Sequence, residues 1–173
     1  MRVTMSTSTH TPPVTLTPGQ PAPAWRGEAL TALGREALSA EALRGQAYVI
    51  YFYPKDDTPG CTAQACDLRD SMSALEALGY KVIGVSTDPL SAHEAFRAKY
   101  ALTHDLVSDT GREVCEAFGV WREKVNYGKT YLGLVRSTFV VGANGLVRHA
   151  QYNVKATGHV ARLVKLLSAE GRA

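Results

Sequence analysis

The apolar positions along the chain predict an alternation of strands and helices. An apolar run, Ala47–Tyr53, ends at Pro54, and a second, mostly apolar run covers Lys81–Ser86. Between the two runs, apolar residues recur at helical spacing over residues 62–78, and Gly79 follows as a C-cap. Two apolar strands joined by a helix indicate a right-handed crossover between parallel strands that are covered on both faces.

Two antiparallel hairpins are predicted, one before this unit and one late in the chain. Their strands are Ala29–Leu33 with Glu36–Ser39, and Val135–Val141 with Leu146–Tyr152. The first hairpin is expected to turn at Gly34 and Arg35, and the second at the Gly-Ala-Asn-Gly segment of residues 142–145.

Three further helices complete the prediction. Ser91 and Glu94 have the spacing of a capping box, and a short helix is expected to open at Asp109 or Thr110 and end before Gly119. The C-terminal helix is marked by an apolar stripe of Val160, Leu163, Val164 and Leu167. The order of elements predicts an α/β fold with a mixed sheet and helices on both faces.

The composition fits one globular domain preceded by a tail. The chain has 173 residues, of which 45% are hydrophobic and 20% are charged, and this excludes a mostly disordered chain, a collagen and a coiled-coil rod. Residues 1–15 are rich in Thr, Ser and Pro and lack periodicity, so they are predicted to form a flexible tail. Residues 16–173 are predicted to form a single domain.

Charge and hydropathy narrow the expected partners. The net charge of +3 is mild and scattered, which argues against a nucleic-acid partner. No apolar run approaches the roughly 20 residues that span a bilayer, so no membrane partner is expected. The first residues lack the apolar stretch of a secretory signal, and a cytoplasmic location is expected.

The chain contains three cysteines, Cys61, Cys66 and Cys115. Their number and spacing fit neither a disulfide scaffold nor a zinc site, and the five histidines are scattered, so no metal is expected. Either one or two of the cysteines carry thiol chemistry, or they are buried thiols without a reaction. Cys115 stands in a short apolar helix segment, where an unreactive buried thiol is the favoured interpretation.

Cys61 is expected immediately before the helix that follows Pro54, where unpaired N–H groups and the helix dipole favour an anion. The helix terminus supplies about 0.5–2 kcal/mol. Converting a thiol almost wholly to thiolate at neutral pH needs roughly 3.4 kcal/mol. A cation from elsewhere in the chain is therefore required, and Arg136 is the candidate.

Further donors and charges lie near Cys61 in the sequence. For a peroxide substrate, Thr58, the N–H of Cys61 and the guanidinium of Arg136 could hold both oxygens in line with the sulfur and stabilise the departing oxyanion. The neighbouring pair Asp56 and Asp57 stands in a polar loop and is expected to face solvent.

The motif Pro54-x-x-x-Thr58-x-x-Cys61 resembles the peroxidatic signature of peroxiredoxins. With Cys66 five residues later, the segment resembles the peroxiredoxin Q subfamily, also called bacterioferritin comigratory proteins. The segment Gly119–Val141 is similar to the part of that family that carries the active-site arginine before Ser-Thr-Phe. The resemblance extends from about Pro18 to the C-terminal helix.

The resemblance implies a thioredoxin-like three-layer fold with a mixed central sheet flanked by helices and an N-terminal hairpin. It implies a thiol-dependent peroxidase that acts on hydrogen peroxide and organic hydroperoxides. Cys61 would be oxidised to a sulfenic acid, Thr58 and Arg136 would activate it and bind peroxide, and Pro54 would shield it. Cys66 would resolve Cys61 as an intramolecular disulfide, and thioredoxin or a related dithiol protein would reduce that disulfide. No cofactor is implied, and a monomer is expected.

The disulfide has a geometric requirement. In an ideal helix, residues five apart have Cα atoms about 8.6 Å apart, whereas a disulfide needs less than about 7 Å. Local unfolding of residues 60–68 on oxidation is therefore predicted.

Three alternative hypotheses remain open from the sequence. Cys66 could be a packing residue, with Cys61 resolved by an external thiol. The chain could be a thioredoxin-like disulfide exchanger, although its two cysteines have four intervening residues and the exchanger motif has two. It could also be a redox sensor or holdase that changes shape with the same thiol.

Overall fold

The structure, a computed structural model, describes residues 12–173. In chain order the strands are β1 (Arg26–Thr31), β2 (Gly34–Ser39), β3 (Tyr48–Phe52), β4 (Lys81–Ser86), β5 (Asp105–Ser108), β6 (Trp121–Asn126), β7 (Lys129–Leu134), β8 (Ser137–Val141) and β9 (Val147–Gln151). The helices are α1 (Pro59–Ala77), α2 (Leu90–Tyr100), α3 (Glu113–Phe118) and α4 (His159–Glu170).

A seven-stranded mixed sheet with the order β2-β1-β5-β4-β3-β8-β9 forms the centre of the fold. Strands β3, β4 and β5 are parallel, and the two outer pairs on each side are antiparallel. The predicted parallel crossover from β3 through α1 to β4 is confirmed. Tyr51 pairs with Gly84 across this crossover, and a Cβ at Gly84 would lie 2.8 Å from the Tyr51 ring. The ring therefore packs directly on the neighbouring strand.

Apolar side chains cover both faces of the sheet, in agreement with the predicted layers. On one face, α1, α2 and α4 share an apolar cluster that includes Tyr51, Tyr53 and Cys61. On the other face, α3 packs with Trp25 and Phe139 in a second cluster. The predicted α/β class, with helices flanking a mixed sheet, is confirmed.

The two predicted hairpins are present, but the first turns at a different place. Thr31 pairs with Gly34, so the turn consists of Ala32 and Leu33 and not of Gly34 and Arg35. The Thr31 hydroxyl oxygen accepts a hydrogen bond from the N–H of Leu33, and Gly34 follows the turn with a φ of +102°. Gly34 therefore completes the chain reversal after the two turn residues, whereas the prediction counted it as one of the turn residues.

The predicted capping box of Ser91 and Glu94 is wrong. Helix α2 begins at Leu90 with Pro89 as its N-cap, and no side chain caps it. The Glu94 carboxylate instead forms an ion pair with Arg35 of β2. The carboxylate of Glu94 therefore binds a residue of a distant strand and does not cap its own helix.

The sequence analysis missed strand β5 and the hairpin of β6 and β7. This hairpin is largely exposed and forms a separate two-stranded sheet, so its residues show no apolar run. Its turn at Tyr127 and Gly128 has positive φ at both positions, which is typical of a type I′ turn. The sequence signal that could have indicated this hairpin was Gly128 between two segments in which apolar and polar residues alternate.

The first eleven residues of the predicted tail lie outside the described residues. The described end of the tail contacts Arg122. The guanidinium of Arg122 donates hydrogen bonds to the carbonyl of Val14 and to the hydroxyl oxygen of Thr15. A Cβ at Gly119 would lie 1.7 Å from that Val14 carbonyl oxygen, and Gly119 has a φ of +72°. Only glycine fits both the backbone conformation and the close approach.

Candidate active site

The candidate site lies at the N-terminus of α1, directly after β3. Thr58 is the N-cap, Pro59 and Gly60 open the helix, and Cys61 is its third residue. The helix thus begins three residues earlier than predicted, and Cys61 lies within the first turn and not before it. Proline is well suited to the first helical position, because its missing N–H would have no helical acceptor there. The first α-helical hydrogen bond runs from the N–H of Thr62 to the carbonyl of Thr58 at 2.8 Å.

Arg136 contacts the sulfur of Cys61. Its Nη2 lies 3.3 Å from Sγ, and the Cys61 residue is only 2% exposed. Arg136 stands between β7 and β8, just outside the strand in which it was predicted, and its carbonyl accepts the N–H of Val154 at 2.9 Å. The structure therefore brings together the thiol and the cation that the sequence analysis paired.

Gln64 is the third residue of the site, and the sequence analysis did not predict it. Its Oε1 accepts a hydrogen bond from Nη1 of Arg136 at 2.6 Å, and the residue is fully buried. Within the described residues, its Nε2 has no hydrogen-bond partner. Residues three apart share a face of a helix, so the position of Gln64 relative to Cys61 was the signal that could have found it.

Gly60 makes room for the guanidinium. A Cβ at this position would lie 3.3 Å from Nη2 of Arg136 and 3.6 Å from Cβ of Ala156. A side chain here would crowd the nitrogen that contacts Cys61. The absence of a side chain at Gly60 therefore helps to set the distance between Arg136 and the sulfur.

Thr58 and Pro54 flank the site without a recorded contact to the sulfur. The Thr58 hydroxyl donates a hydrogen bond to the carbonyl of Lys55 at 2.8 Å. Because its proton is used in this way, its oxygen is left to accept a hydrogen bond from a bound molecule. Pro54 is half-buried and lies two positions after Phe52, the last residue of β3. The roles assigned to both residues stay predictions.

The loop between Pro54 and α1 is fixed by a buried polar network. The expectation that Asp56 faces solvent is wrong, because its carboxylate accepts the Tyr53 hydroxyl at 2.6 Å and lies 2.6 Å from Nδ1 of His93. The Nε2 of His93 lies 2.9 Å from the carbonyl of Val107, to which it must donate. This network ties the loop to α2 and β5.

Cys66 lies five residues after Cys61 in the same uninterrupted helix, and both thiols are free. Cys66 is half-buried, which leaves part of it accessible. Cys115 is fully buried in the apolar cluster on the opposite face of the sheet. Burial, and secondarily the charge of Asp109, raises the pKa of the Cys115 thiol far above its ordinary value. Cys115 is therefore an unreactive thiol in this fold.

The groups around the sulfur are desolvated. Burial raises the pKa of Tyr51 well above its ordinary value, and a negative charge on Cys61 acts in the same direction. Burial and the Arg136 cation lower the pKa of Lys124, whose Nζ donates to the carbonyl of Leu134 at 2.8 Å. A neutral buried phenol and the Arg136 cation therefore lie within electrostatic range of the sulfur, and Lys124 of β6 feels the charges of both Cys61 and Arg136.

This arrangement can stabilise a thiolate and charge that develops next to it. The helix terminus and the guanidinium both face Cys61, and unpaired N–H groups of the first turn supply further donors. Within residues 12–173 no cluster of three or more His, Cys, Asp or Glu side chains could hold a metal ion. In the same residues, no helix combines the length and the apolar character needed to cross a membrane.

Comparisons with known proteins agree with this chemistry. The profile of the AhpC/TSA family matches residues 18–150. Peroxiredoxin Bcp of Escherichia coli is 44% identical over 124 residues, which cover 72% of this chain and 80% of the relative. A solved structure of Xanthomonas campestris peroxiredoxin Q has a TM-score of 0.76 and 37% identity, and the match covers 92% of this chain and 98% of that one.

A second Xanthomonas campestris structure, of a bacterioferritin comigratory protein described by its alkyl peroxide reduction activity, also has a TM-score of 0.76. It is 36% identical, and the match covers 91% of this chain and 98% of that one. The thioredoxin-like peroxiredoxin fold predicted from the sequence is thereby confirmed.

The fold and the relatives define an enzyme of the peroxiredoxin class, a thiol-dependent peroxidase. The chain belongs to the AhpC/TSA family, and its similarities lie with the members called peroxiredoxin Q or bacterioferritin comigratory protein.

Proposed function

We propose that the enzyme reduces hydrogen peroxide and organic hydroperoxides through a sulfenic acid at Cys61, which Cys66 resolves as an intramolecular disulfide. The observation that carries the proposal is the 3.3 Å contact between Nη2 of Arg136 and Sγ of Cys61 at the N-terminus of α1. The alkyl peroxide reduction described for the Xanthomonas relative supports the inclusion of organic hydroperoxides.

In the first step the Cys61 thiolate attacks one peroxide oxygen. A sulfur–oxygen bond forms, the O–O bond breaks, and the second oxygen leaves with its electron pair and takes a proton to become water or an alcohol. Arg136 contacts the sulfur, so it can stabilise the thiolate and the charge that develops on the leaving oxygen. The Thr58 oxygen can accept the hydrogen of the incoming peroxide.

In the second step the thiolate of Cys66 attacks the sulfenic sulfur of Cys61. A disulfide forms, and the hydroxyl group leaves and becomes water after taking a proton. Because both cysteines lie in α1, the first turns of the helix must unwind before the sulfurs meet. Thioredoxin or a similar dithiol then transfers two electrons to the disulfide and regenerates both thiols.

We also propose that the enzyme works as a monomer in the cytoplasm, where a dithiol reductant is at hand. The three free thiols of the chain are compatible with such a reducing compartment. Light scattering during size-exclusion chromatography tests the monomer, and a dimer at micromolar concentration would contradict it.

The deciding experiment is the intact mass of the fully reduced protein after one equivalent of hydrogen peroxide. Wild-type protein and the control variant Cys115→Ser are expected to lose two hydrogens. Cys61→Ser should remain unchanged, and Cys66→Ser should gain oxygen because its sulfenic acid is not resolved.

Two other results would support the alternatives. Gain of oxygen by the wild-type protein would indicate a one-cysteine peroxidase that uses an external thiol. If the wild-type protein did not react with peroxide but reduced insulin disulfides, it would be a disulfide exchanger.

A further inference from the structure

The C-terminal end of α2 holds the chain on both sides of the two active-site cysteines. The hydroxyl of Tyr100 donates a hydrogen bond to Oδ1 of Asp57 at 2.6 Å, and Nζ of Lys99 lies 2.8 Å from Oδ2 of the same carboxylate. The carbonyl of Tyr100 accepts a hydrogen bond from Nη1 of Arg69 at 2.7 Å. We refer to Asp57, Arg69, Lys99 and Tyr100 as the Tyr100 clamp.

The positions of these contacts bracket the segment that must unwind. Asp57 precedes Cys61 by four residues, and Arg69 follows Cys66 by three. Both are attached to the same residue of α2, so the chain between them has two fixed ends. Ideal helix geometry keeps the cysteine Cα atoms about 8.6 Å apart, so the change that brings the sulfurs together must occur between these ends.

Asp57 has a left-handed backbone conformation, with a φ of +55°. Few residues with a side chain adopt this region, and aspartate is among those that do so most readily. Such conformations persist when surrounding contacts hold them, and here both carboxylate oxygens are engaged by α2. Release of the carboxylate would let Asp57 return to an ordinary conformation and would change the direction in which the chain enters α1.

We propose that Lys99 and Tyr100 are positioning residues for the resolution step, because they hold the first turns of α1 folded and delay the unwinding that must precede the attack by Cys66. This inference rests on the proposed function of Cys61 and Cys66. The clamp sets the lifetime of the Cys61 sulfenic acid before the disulfide forms.

That lifetime decides between two products. In one, Cys66 attacks the sulfenic sulfur, and the disulfide and water form. In the other, the sulfenate attacks a second peroxide, whose O–O bond breaks. The sulfur becomes a sulfinic acid, and the peroxide is reduced to water or an alcohol. A firmer clamp therefore slows resolution and increases the fraction of sulfinic acid at high peroxide concentration.

The test compares Tyr100→Phe with wild-type protein and with Tyr127→Phe, whose tyrosine is 98% exposed on the β6–β7 turn. Rapid acid quench and mass analysis measure Cys61 oxidation, disulfide formation and the sulfinic acid fraction separately. In Tyr100→Phe we expect unchanged oxidation of Cys61, about three- to tenfold faster disulfide formation, and a correspondingly lower sulfinic acid fraction. The Tyr127→Phe control should match the wild type in all three.

The ion pair gives an independent arm of the test. Lys99→Met should accelerate disulfide formation in the same direction as Tyr100→Phe, and Lys99→Arg should restore the wild-type rate. Because Lys99 and Asp57 are both exposed, added salt should accelerate resolution in the wild type and have less effect in Lys99→Met. Amide hydrogen exchange should show faster opening of residues 59–66 in the reduced Tyr100→Phe and Lys99→Met proteins, and an unchanged sheet.

Unchanged disulfide rates in both Tyr100→Phe and Lys99→Met would overturn the clamp. If Tyr100→Phe lost global stability, the matched pair Lys99→Met and Lys99→Arg would decide alone. Absence of any disulfide in the wild-type protein would instead contradict the proposed function, so the two failures are distinguishable.

Discussion

The guanidinium of Arg136 lies 3.3 Å from the sulfur of Cys61, although 75 positions separate the two residues in the chain. Sheet pairing explains the contact. Ser137, the residue after Arg136, is aligned with Phe52 at the end of β3, and the loop to α1 follows immediately. Antiparallel pairing of β8 with β3 therefore places Arg136 at the start of α1, where the helix terminus and the cation can both stabilise the thiolate of Cys61.

Replacement of Arg136 should slow the reaction of Cys61 with peroxide. We expect Arg136→Met to lower the second-order rate constant for Cys61 with hydrogen peroxide by about 100-fold or more, because loss of one such donor typically has this effect. Arg136→Lys should be intermediate, since one ammonium group cannot reproduce the fork that contacts both Cys61 and Gln64. Competition kinetics against a reference peroxidase measure these rates.

The exposed Arg44→Met serves as the control for the loss of a cation and should react like the wild type. An Arg136→Met protein with an unchanged peroxide rate would show that the contact is structural only.

Gly60→Ala should impair the reaction without unfolding the protein. The new Cβ would lie 3.3 Å from Nη2 of Arg136 and would displace the guanidinium by a few tenths of an ångström, while alanine is a better helix former than glycine. We expect a several-fold lower peroxide rate and a melting temperature that is unchanged or higher. In an Arg136→Met background the substitution should have little further effect, which a double-mutant cycle tests. Additive effects would mean that Gly60 acts by another route.

Asp56→Ala should destabilise the loop before α1. Removal of the carboxylate leaves the buried Tyr53 hydroxyl and Nδ1 of the buried His93 without their partner. We expect a loss of about 1–3 kcal/mol in the free energy of unfolding, measured by denaturant titration. The control is Asp67→Ala on the exposed side of α1, which should change stability by less than about 0.5 kcal/mol. Equal effects would remove the structural role assigned to Asp56.

His104 should make the protein sensitive to acid. Burial lowers the pKa of His104 to about 4, and its Nε2 lies 2.7 Å from the hydroxyl of Tyr51. In the unfolded chain, His104 has its ordinary pKa of 6.5 and takes up a proton near that pH. The contribution of His104 to stability is therefore constant above about pH 6.5 and falls as the pH drops from about 6.5 towards 4. The total loss should be of the order of 3 kcal/mol.

His104→Gln keeps an acceptor for the Tyr51 hydroxyl but does not titrate, so it should flatten this part of the profile. Denaturant unfolding at several pH values between 4 and 8 measures the difference. Parallel profiles for the variant and the wild type would show that other groups cause the acid sensitivity.

The strongly patterned parts of the fold were predictable. The apolar runs of β3 and β4 and the spacing in α1 indicated a parallel crossover, and the turn at residues 142–145 indicated the late hairpin. The exposed strands β6 and β7 were missed, because a hairpin with little burial leaves no apolar run. The capping box failed because Arg35, from a distant strand, takes the carboxylate of Glu94. Local spacing carries no information about such a partner.

The candidate site was predictable in part. The helix start after Pro54 and the need for a cation led to Cys61 and Arg136, which the fold brings together. Gln64 was missed although it stands one helical turn after Cys61, because this spacing alone does not show that Arg136 binds its amide. Asp56 was misjudged because its burial depends on His93, which arrives from α2.

The sequence by itself determined the crossover from β3 through α1 to β4, the late hairpin, the position of Cys61 at a helix terminus and the membership of the peroxiredoxin class. These follow from local spacing, backbone preferences and a short motif, which are properties of neighbouring residues. Only the tertiary structure decided which side chains contact the thiol, which carboxylates are buried, and that Tyr100 holds the chain on both sides of the cysteines. Those contacts join residues far apart in the chain, and sheet pairing and helix packing create them.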